Sequence, residues 1–196
     1  MPKRSACSVC HYPSSHCICK HVTQISSTVA ISILQDPTET KHAKNSARLI
    51  PLVMPQAEIF VGLFPNDFVP AREKLKQFTN TLLLYPNESS LTMDEYHHRC
   101  GEFGKPDHII LLDGTWRKAK KMWLNNPWLH ELTTATLPAD RASEYRIRKA
   151  PFAHSYSSIE ALATTLNILN IAPSAPLLKV FSAMQAKWPV LGTKAL

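Results

Sequence analysis

The sequence predicts an α/β fold, a central sheet flanked by helices. Short apolar segments alternate with segments of helical periodicity, which is the pattern of this class rather than of an all-helical or all-β protein. The segments 81–84 and 108–112 are apolar almost throughout, as expected of strands that are buried on both faces. With 196 residues, of which 44% are hydrophobic, the chain is long enough to bury one main core.

The first half of the chain contains three predicted strands and one predicted helix. Residues 28–34 are predicted to form a β-branched strand, and residues 58–64 and 81–84 two more. The segment 39–49 is predicted as a helix that Asp36-Pro37-Thr38 opens, since Asp caps helices and Pro is favoured in the first turn. Prolines mark several of the joins between these elements.

The second half begins with a predicted strand at 108–112 and a helix at 115–124. Two further short strands are predicted at 132–137 and 145–148.

Two helices are predicted near the end of the sequence. The first begins at a capping box, in which a Ser and a Glu three residues later bond to the backbone of the first turn, Ser157-Ser158-Ile159-Glu160. Its apolar face consists of Ile159, Leu162, Ala163, Leu166 and Leu169. The second helix, at 177–187, is expected to bury Leu177, Leu178, Phe181 and Met184.

Charge and glycine content narrow the class of protein. Lys and Arg number 22 against 15 for Asp and Glu, and the formal net charge of +7 favours a polyanionic partner such as nucleic acid. No apolar run is long enough to span a membrane, and the N-terminus lacks the apolar region of a signal peptide, so we expect a cytoplasmic protein. The five glycines form neither GxGxxG nor GxxxxGK, so a nucleotide-like cofactor would bind by other means.

Four of the five cysteines lie between residues 7 and 19, namely Cys7, Cys10, Cys17 and Cys19. Without an export signal, thiolates that bind a metal are favoured over disulfides, and two close pairs can place four sulfurs around a structural Zn²⁺. His11, His16 or His21 could replace one sulfur. The alternative is a tail with incidental thiols, and Cys100 is interpreted as an incidental thiol.

The tetrapeptide Asp113-Gly114-Thr115-Trp116 lies between an apolar strand and the cationic segment Arg117-Lys118-Ala119-Lys120-Lys121. An acid at the carboxyl end of a buried strand, followed by a turn and a helix start, points into the crevice where open α/β sheets bind ligands. This segment is therefore predicted to lie in an active site surrounded by cations.

Five segments together resemble the DTW-domain family of tRNA-uridine aminocarboxypropyltransferases, and they occur in the family's order across nearly the whole chain. They are CSVCHYPSSHCIC, QDPTETKHAKNSARLI, LLLYPNES, LLDGTWRKAKKMW and YRIRKAPFAHSYSSIEALA. The DxTW element and its basic helix are the most specific of the five. The family more often has His at the position of Asp36 and Thr at those of Ser46 and Ser158.

The resemblance implies a SPOUT-like α/β fold, in which a C-terminal knot of the chain cradles S-adenosylmethionine. Residues 25–196 would form this catalytic domain and residues 1–24 the zinc knuckle. The implied reaction transfers the 3-amino-3-carboxypropyl group from S-adenosylmethionine to N3 of a uridine in tRNA, usually at position 47 in bacterial members, and releases 5′-methylthioadenosine. An RNA methyltransferase of the same fold and a non-catalytic, zinc-containing RNA-binding protein stay open, as do a monomer and a homodimer.

The expected catalytic residues are Asp113, Thr115 and Trp116. Asp113 would act as general base towards the uridine N3 or would orient the uridine or the ammonium group of the cofactor. The nearby cations favour orientation, because they stabilise the carboxylate and make it a weaker base. Thr115 could equally cap the helix, Trp116 could stack on adenine or uracil, and Trp123 is expected in the core.

Cations and a helix start supply the other expected binding residues. An arginine grips a carboxylate bidentately, and a helix start favours an anion, although capping alone would account for Ser157 and Glu160. The expected cofactor-binding residues are Leu112, Arg148, Ser157, Ser158 and Glu160. The cations expected to bind tRNA phosphates, which otherwise form a solvated face, are Arg117, Lys118, Lys120, Lys121 and Arg146.

Overall fold

A computed structural model describes residues 5–139, 143–147 and 156–189. Within these residues, six strands form one sheet in the order β2-β1-β5-β3-β6-β4, and each neighbouring pair is parallel. The strands are β1 (Ala30–Gln35), β2 (Glu58–Val61), β3 (Thr81–Leu84), β4 (Leu91–Thr92), β5 (His108–Asp113) and β6 (Thr133–Thr136). Because all strands run the same way, their carboxyl ends meet at one edge of the sheet.

Helices cover both faces of the sheet. They are α1 (Ile50–Val53), α2 (Val69–Leu75), α3 (Met93–Phe103), α4 (Trp116–Asn125), α5 (Ser158–Ile168) and α6 (Ala175–Gln185). Alternate residues of β5 belong to different cores: Ile109 and Leu111 pack with α1, α3, α5 and α6, whereas Ile110 packs with α2 and α4. The protein is therefore a three-layer α/β structure with β5 in the middle of the sheet.

The predicted strands at 28–34, 58–64, 81–84, 108–112 and 132–137 are confirmed, with shifts of one to three residues at some ends. The helices predicted at 115–124 and 177–187 and the one opened by Ser157 are also confirmed. The predicted α/β class is therefore confirmed, because strands and helices alternate along the chain and the strands form one parallel sheet.

The prediction of one helix over 39–49 is wrong. This segment contains the 3-10 turns Pro37–Lys41 and Ala47–Leu49, with an irregular stretch between them. Tertiary contacts break the helix: the Asn45 side chain bonds to Asp113, and the carbonyl of Lys44 accepts a hydrogen bond from the Tyr145 hydroxyl. A local helix would turn these groups away from their partners.

The strand predicted at 145–148 is also wrong over its described part. Residues 143–147 form an irregular segment, and Arg148 lies outside the described residues. Side chains hold this segment in place: Glu160 accepts a bond from the Glu144 N–H, and Gln185 accepts one from the Arg146 N–H. The sequence prediction did not include helices α1, α2 and α3 or strand β4.

The cysteine-rich N-terminal segment packs directly against the rest of the protein. Tyr12 and Ile18 are fully buried in the same hydrophobic core as α5 and α6. The Arg48 guanidinium lies 4.4 Å above the Tyr12 ring and donates a hydrogen bond of 3.2 Å to the Cys10 carbonyl. The division into residues 1–24 and 25–196 therefore stays a prediction, since one core spans both parts.

No helix in the described part of the chain combines the length and the apolar content that a membrane span requires.

Candidate active site and metal centre

Asp113 ends β5 beside Gln35, which ends β1, and the two residues are paired in the sheet register. The Asp113 side chain is on the face of β5 that packs against α5, and only 4% of the residue is exposed. Asp113 therefore lies where the sequence predicts it, at the carboxyl end of a buried strand.

Three neutral side chains donate hydrogen bonds to the Asp113 carboxylate. Its Oδ2 accepts from Gln35 Nε2 at 2.9 Å and from Asn45 Nδ2 at 2.7 Å, and its Oδ1 accepts from Ser158 Oγ at 2.6 Å. The donors come from the end of β1, from the irregular segment before α1 and from the first residue of α5. We call these four residues the Asp113 clamp.

The clamp leaves little of the carboxylate free. A carboxylate offers roughly four lone-pair positions, and the two amides occupy both positions on Oδ2. Ser158 occupies one position on Oδ1, so among the described residues one acceptor position on that oxygen has no partner. The arrangement is suited to accepting one hydrogen bond from a ligand in a fixed direction.

The chain turns from β5 into α4 through Gly114. A Cβ at this position would lie 2.9 Å from Lys118 Cβ and 3.6 Å from Asp36 Cβ, so the close approach of these segments requires glycine. Thr115 is the N-cap of α4, but its side chain makes no capping hydrogen bond. Thr115 is exposed and Trp116 is 41% exposed, beside the carboxylate at the same edge.

The cations of α4 have two different environments. Lys118 points towards buried acids: its Nζ lies 2.7 Å from Glu39 Oε1 and 4.0 Å from Asp36 Oδ1. Arg117, Lys120 and Lys121 are exposed, on the opposite side from Ala119 and Met122. The solvated face of the helix therefore includes three of its four expected cations.

Other predicted site residues have structural partners. Ser157 and Glu160 form the predicted capping box, and Glu160 also accepts from the Ser143 hydroxyl and the Glu144 N–H. The Leu112 side chain packs in the core on the α2 and α4 face, away from Asp113.

Two further predicted residues lie outside the clamp. Arg146 is exposed to solvent. Trp123 packs against Tyr85 and His130, as expected for a core residue.

The four N-terminal cysteines converge. The Sγ atoms of Cys7, Cys10, Cys17 and Cys19 all lie within 4.8 Å of one another. The Cys7 and Cys19 sulfurs are 3.6 Å apart, and those of Cys10 and Cys17 are 3.8 Å apart. Four thiolates at about 2.3 Å from a tetrahedral Zn²⁺ would be about 3.8 Å apart, so the cluster fits a metal ion of this size.

Backbone donors beside Cys7 also suit a metal. The N–H groups of Cys10 and Val9 are directed at the Cys7 sulfur and lower the pKa of this thiol, whereas burial and the neighbouring sulfurs raise the pKa of Cys19. Cys7 is therefore the cysteine of this pair that most readily forms a thiolate. Thiolates are the form that binds a metal. His16, one of the alternative ligands, instead has its ring against that of Trp188, with 5.1 Å between the centroids.

Sequence reasoning missed Gln35 and Asn45, the two amide donors of the clamp. Both belong to the segment QDPTETKHAKNSARLI, and both are buried, with 5% and 2% exposure. A signal was present at Gln35, the polar last residue of the largely apolar strand β1, because parallel neighbouring strands bring such residues together at their carboxyl ends. Asn45 gives no such signal, since no regular element holds it.

The fold and the site define a three-layer α/β protein with a hydrogen-bonded carboxylate at the carboxyl edge of its sheet and a four-cysteine cluster. Comparison with known families specifies the class further: the DTW domain matches residues 4–189. The chain therefore belongs to the DTW-domain family. No solved structure matches the chain.

Curated relatives of the chain bear the names of aminocarboxypropyltransferase enzymes. A tRNA-uridine aminocarboxypropyltransferase 2 from Drosophila melanogaster is 32% identical over 177 residues, which cover 87% of this chain and 69% of the fly protein. The protein of the same name from Macaca fascicularis is 28% identical and covers 85% of this chain and 57% of its own length. The tRNA-uridine aminocarboxypropyltransferase A from Arabidopsis thaliana is 25% identical, with 85% and 73% covered.

Proposed function

We propose that this protein transfers the 3-amino-3-carboxypropyl group from S-adenosylmethionine to N3 of a uridine in tRNA, at position 47, and releases 5′-methylthioadenosine. The observation that carries this proposal is the Asp113 clamp at the carboxyl edge of the sheet, next to an exposed basic helix face. The names of the relatives support the same reaction and substrate.

The residues at the crevice fit both reactants. Asp113 Oδ1 has an acceptor position for an N–H group of the uracil or for the ammonium group of S-adenosylmethionine. The half-exposed ring of Trp116 can stack on a base. When bound, S-adenosylmethionine supplies a carbon that its sulfonium has already activated, so the protein has mainly to position the two reactants.

The clamp directs the Asp113 carboxylate at one position on the ligand, so we propose that Asp113 both orients the uridine and accepts its N3 proton. Three donors hold the carboxylate in one plane, and it is almost fully buried. Thr115, exposed at the start of α4, would contact the substrate together with Trp116. Ser158 and the residues Arg148, Ser157, Glu160 and Leu112 remain our proposed cofactor-binding set, in which Ser158 contacts Asp113 directly.

We further propose that Arg117, Lys120, Lys121 and Arg146 bind tRNA phosphates. These side chains are exposed, and their charges supply affinity without sequence information. Lys118, the fifth expected cation, has a different role in this proposal, since its ammonium group binds the buried Glu39 carboxylate. Its contribution is to hold the 3-10 turn Pro37–Lys41 against α4.

The metal at the four cysteines is proposed to be structural Zn²⁺. Four cysteine ligands leave no open position, so the ion would stabilise the N-terminal segment rather than take part in the reaction. Metal analysis of the purified protein should find about one equivalent of zinc, and the variant Cys7→Ser/Cys10→Ser should lose it. A fully active protein that contains no zinc would contradict this assignment.

The family also supports two broader proposals. We propose a SPOUT-like knotted arrangement, with which the parallel sheet and its flanking helices are in keeping. A tRNA substrate and a thiolate cluster both suit the cytoplasm, which is the compartment that we propose.

Mass spectrometry of tRNA incubated with the protein and S-adenosylmethionine tests the reaction. We expect nucleosides that carry an aminocarboxypropyl group, with 5′-methylthioadenosine as coproduct. A methyl adduct with S-adenosylhomocysteine would instead identify an RNA methyltransferase. The absence of any adduct, together with tight tRNA binding, would identify a non-catalytic RNA-binding protein.

A further inference from the structure

We propose that Gln35 and Asn45 are positioning residues that fix the Asp113 carboxylate, so that Oδ1 accepts the N3 proton of the uridine as N3 bonds to the carbon of S-adenosylmethionine and the S–C bond to 5′-methylthioadenosine breaks. This inference rests on the proposed function and specifies how the same site orients its substrate. Neither residue contacts the reactants in this proposal; both act through Asp113.

Both amides bind the same carboxylate oxygen. Gln35 Nε2 and Asn45 Nδ2 lie 2.9 Å and 2.7 Å from Asp113 Oδ2. Two donors on one oxygen define the plane of the carboxylate and leave Oδ1 as the oxygen that can accept from a ligand. Rotation of the carboxylate would break both bonds at once, so the direction of the free acceptor position is fixed.

Each positioning residue is itself anchored by a further contact. Asn45 Oδ1 accepts from the Arg48 main-chain N–H at 3.1 Å, which holds the amide group. The Gln35 side chain is buried at the end of β1, and the main-chain carbonyl of Gln35 accepts from the Gly62 N–H at 3.0 Å. Arg48 in turn binds the Cys10 carbonyl of the cysteine-rich segment. The donors are therefore in place before a ligand arrives, which is the condition for precise orientation.

The two side chains that donate to Asp113 Oδ2 are uncharged amides, so they leave the negative charge of the carboxylate available to a ligand. An arginine or lysine at the same place would pair with the carboxylate and weaken it as an acceptor for a neutral N–H group. Among the described residues no cation donates to the Asp113 carboxylate, and the Lys118 ammonium on the neighbouring helix is bound to Glu39. Two amides thus orient the carboxylate without neutralising it.

The test replaces each amide by a carboxylate of the same shape, Asn45→Asp and Gln35→Glu. Either change brings a second carboxylate to within hydrogen-bond distance of Asp113 Oδ2, and such a pair shares a proton near neutral pH. We expect kcat at pH 7 to fall at least tenfold and the acid limb of the kcat profile to move up by one pH unit or more. KM for S-adenosylmethionine and for tRNA should stay within about threefold.

Asn80→Asp is the matched control. Asn80 also donates through its amide, to the carbonyls of Gly104 and Lys105, but it lies at the amino edge of the sheet. We expect its kcat profile to keep the wild-type shape. Thermal unfolding of all three variants shows whether each is folded at the assay temperature.

The outcomes separate this inference from the proposed function. An active wild-type protein whose Asn45→Asp and Gln35→Glu variants keep the wild-type pH profile would overturn the positioning role alone. A loss of activity that is equal at every pH and follows the folded fraction would also overturn it. A wild-type protein that forms no aminocarboxypropyl product would refute the proposed function, and with it the uridine as the ligand of Oδ1.

Discussion

The two ends of β5 carry two buried polar networks with opposite consequences. His108, the first residue of the strand, is fully buried, and Asp113, the last residue, is 4% exposed. His108 Nε2 lies 2.8 Å from Ser32 Oγ on β1, and its Nδ1 lies 3.2 Å from Thr81 Oγ1 on β3. Its ring also stacks on Phe78 at 4.4 Å. Both ring nitrogens of His108 are therefore satisfied within the sheet and its border.

Burial alone does not distinguish a functional group from a structural one. Asp113 is held by donors from three separate segments and keeps an acceptor position at the edge where ligands bind. His108 lies at the other edge and has a partner for each nitrogen. The comparison predicts that changes at Asp113 remove activity and spare the fold, whereas changes at His108 do the reverse.

The largest effect is expected from Asp113→Asn. The asparagine can direct its oxygen to Gln35 and Asn45 and its amide to Ser158 Oγ, which then accepts, so the fold should be preserved. The acceptor position for a ligand is replaced by a donor. We expect kcat for aminocarboxypropyl transfer to fall by about 10²–10⁴, with affinity for S-adenosylmethionine within a few-fold of wild type.

Calorimetric titration with S-adenosylmethionine checks the second half of this prediction. A loss of cofactor binding in Asp113→Asn would move Asp113 to the cofactor site, with the ammonium group as its ligand. A large drop in the melting temperature of Asp113→Asn would instead show that Asp113, like His108, mainly stabilises the fold, and the contrast between the two ends of β5 would be wrong.

The reverse result is expected from His108→Ala. The change removes the stacking on Phe78, leaves a cavity and deprives the hydroxyls of Ser32 and Thr81 of their partner. We expect the free energy of unfolding to fall by about 2–4 kcal/mol. Denaturant titration measures this loss, and kcat per folded molecule should stay within about twofold of wild type. A kcat that falls as far as in Asp113→Asn would assign His108 to the active site.

The pH dependence of stability gives an effect of at most similar size at the same residue. Burial, with the charge of Lys74 as the second cause, lowers the pKa of His108 from 6.5 to about 4, although Asp107 and Glu58 oppose this shift. Between these values the unfolded chain binds a proton that the folded protein does not. The free energy of unfolding is therefore highest, as far as His108 is concerned, above pH 6.5. It falls as the pH is lowered towards 4, by at most about 1.4 kcal/mol per pH unit.

His108→Gln isolates this contribution from that of the other titrating groups. The stability difference between wild type and His108→Gln should shrink as the pH is lowered from 6.5 to 4. Urea titrations of both proteins over this range provide the measurement. A difference that is constant with pH would show that His108 titrates alike in the folded and unfolded chain.

The sequence contains the local signals of the fold and of one part of the site. An apolar run followed by Asp-Gly-Thr predicts a strand, a turn and a helix, because all three signals act over a few residues. Helix α3 also has such a signal in the sequence, the capping box of Thr92 and Glu95. The missed helix was thus predictable from the sequence.

The rest of the site depends on distant contacts. Gln35 and Asn45 lie 78 and 68 residues from Asp113 along the chain, so no local pattern relates them to it. The same contact of Asn45 overrides the helical tendency of residues 39–49. The inward direction of Lys118 likewise depends on Glu39, 79 residues away, whereas the exposure of its neighbours follows from helical periodicity.

The smallest effect is expected at Ser158, where the clamp meets α5. Ser158→Ala removes the 2.6 Å hydrogen bond to Asp113 Oδ1 but leaves both amide donors on Oδ2. One hydrogen bond to a charged group contributes roughly 1.5–3 kcal/mol, and water can replace part of it at this half-buried position, so we expect kcat to fall about tenfold. Ser158→Thr keeps the hydroxyl and should restore kcat to within about threefold. Steady-state kinetics of Ser158→Ala and Ser158→Thr provides the measurement. If kcat fell equally in both variants, the size of the side chain at position 158, and not its hydroxyl, would be what matters for Asp113.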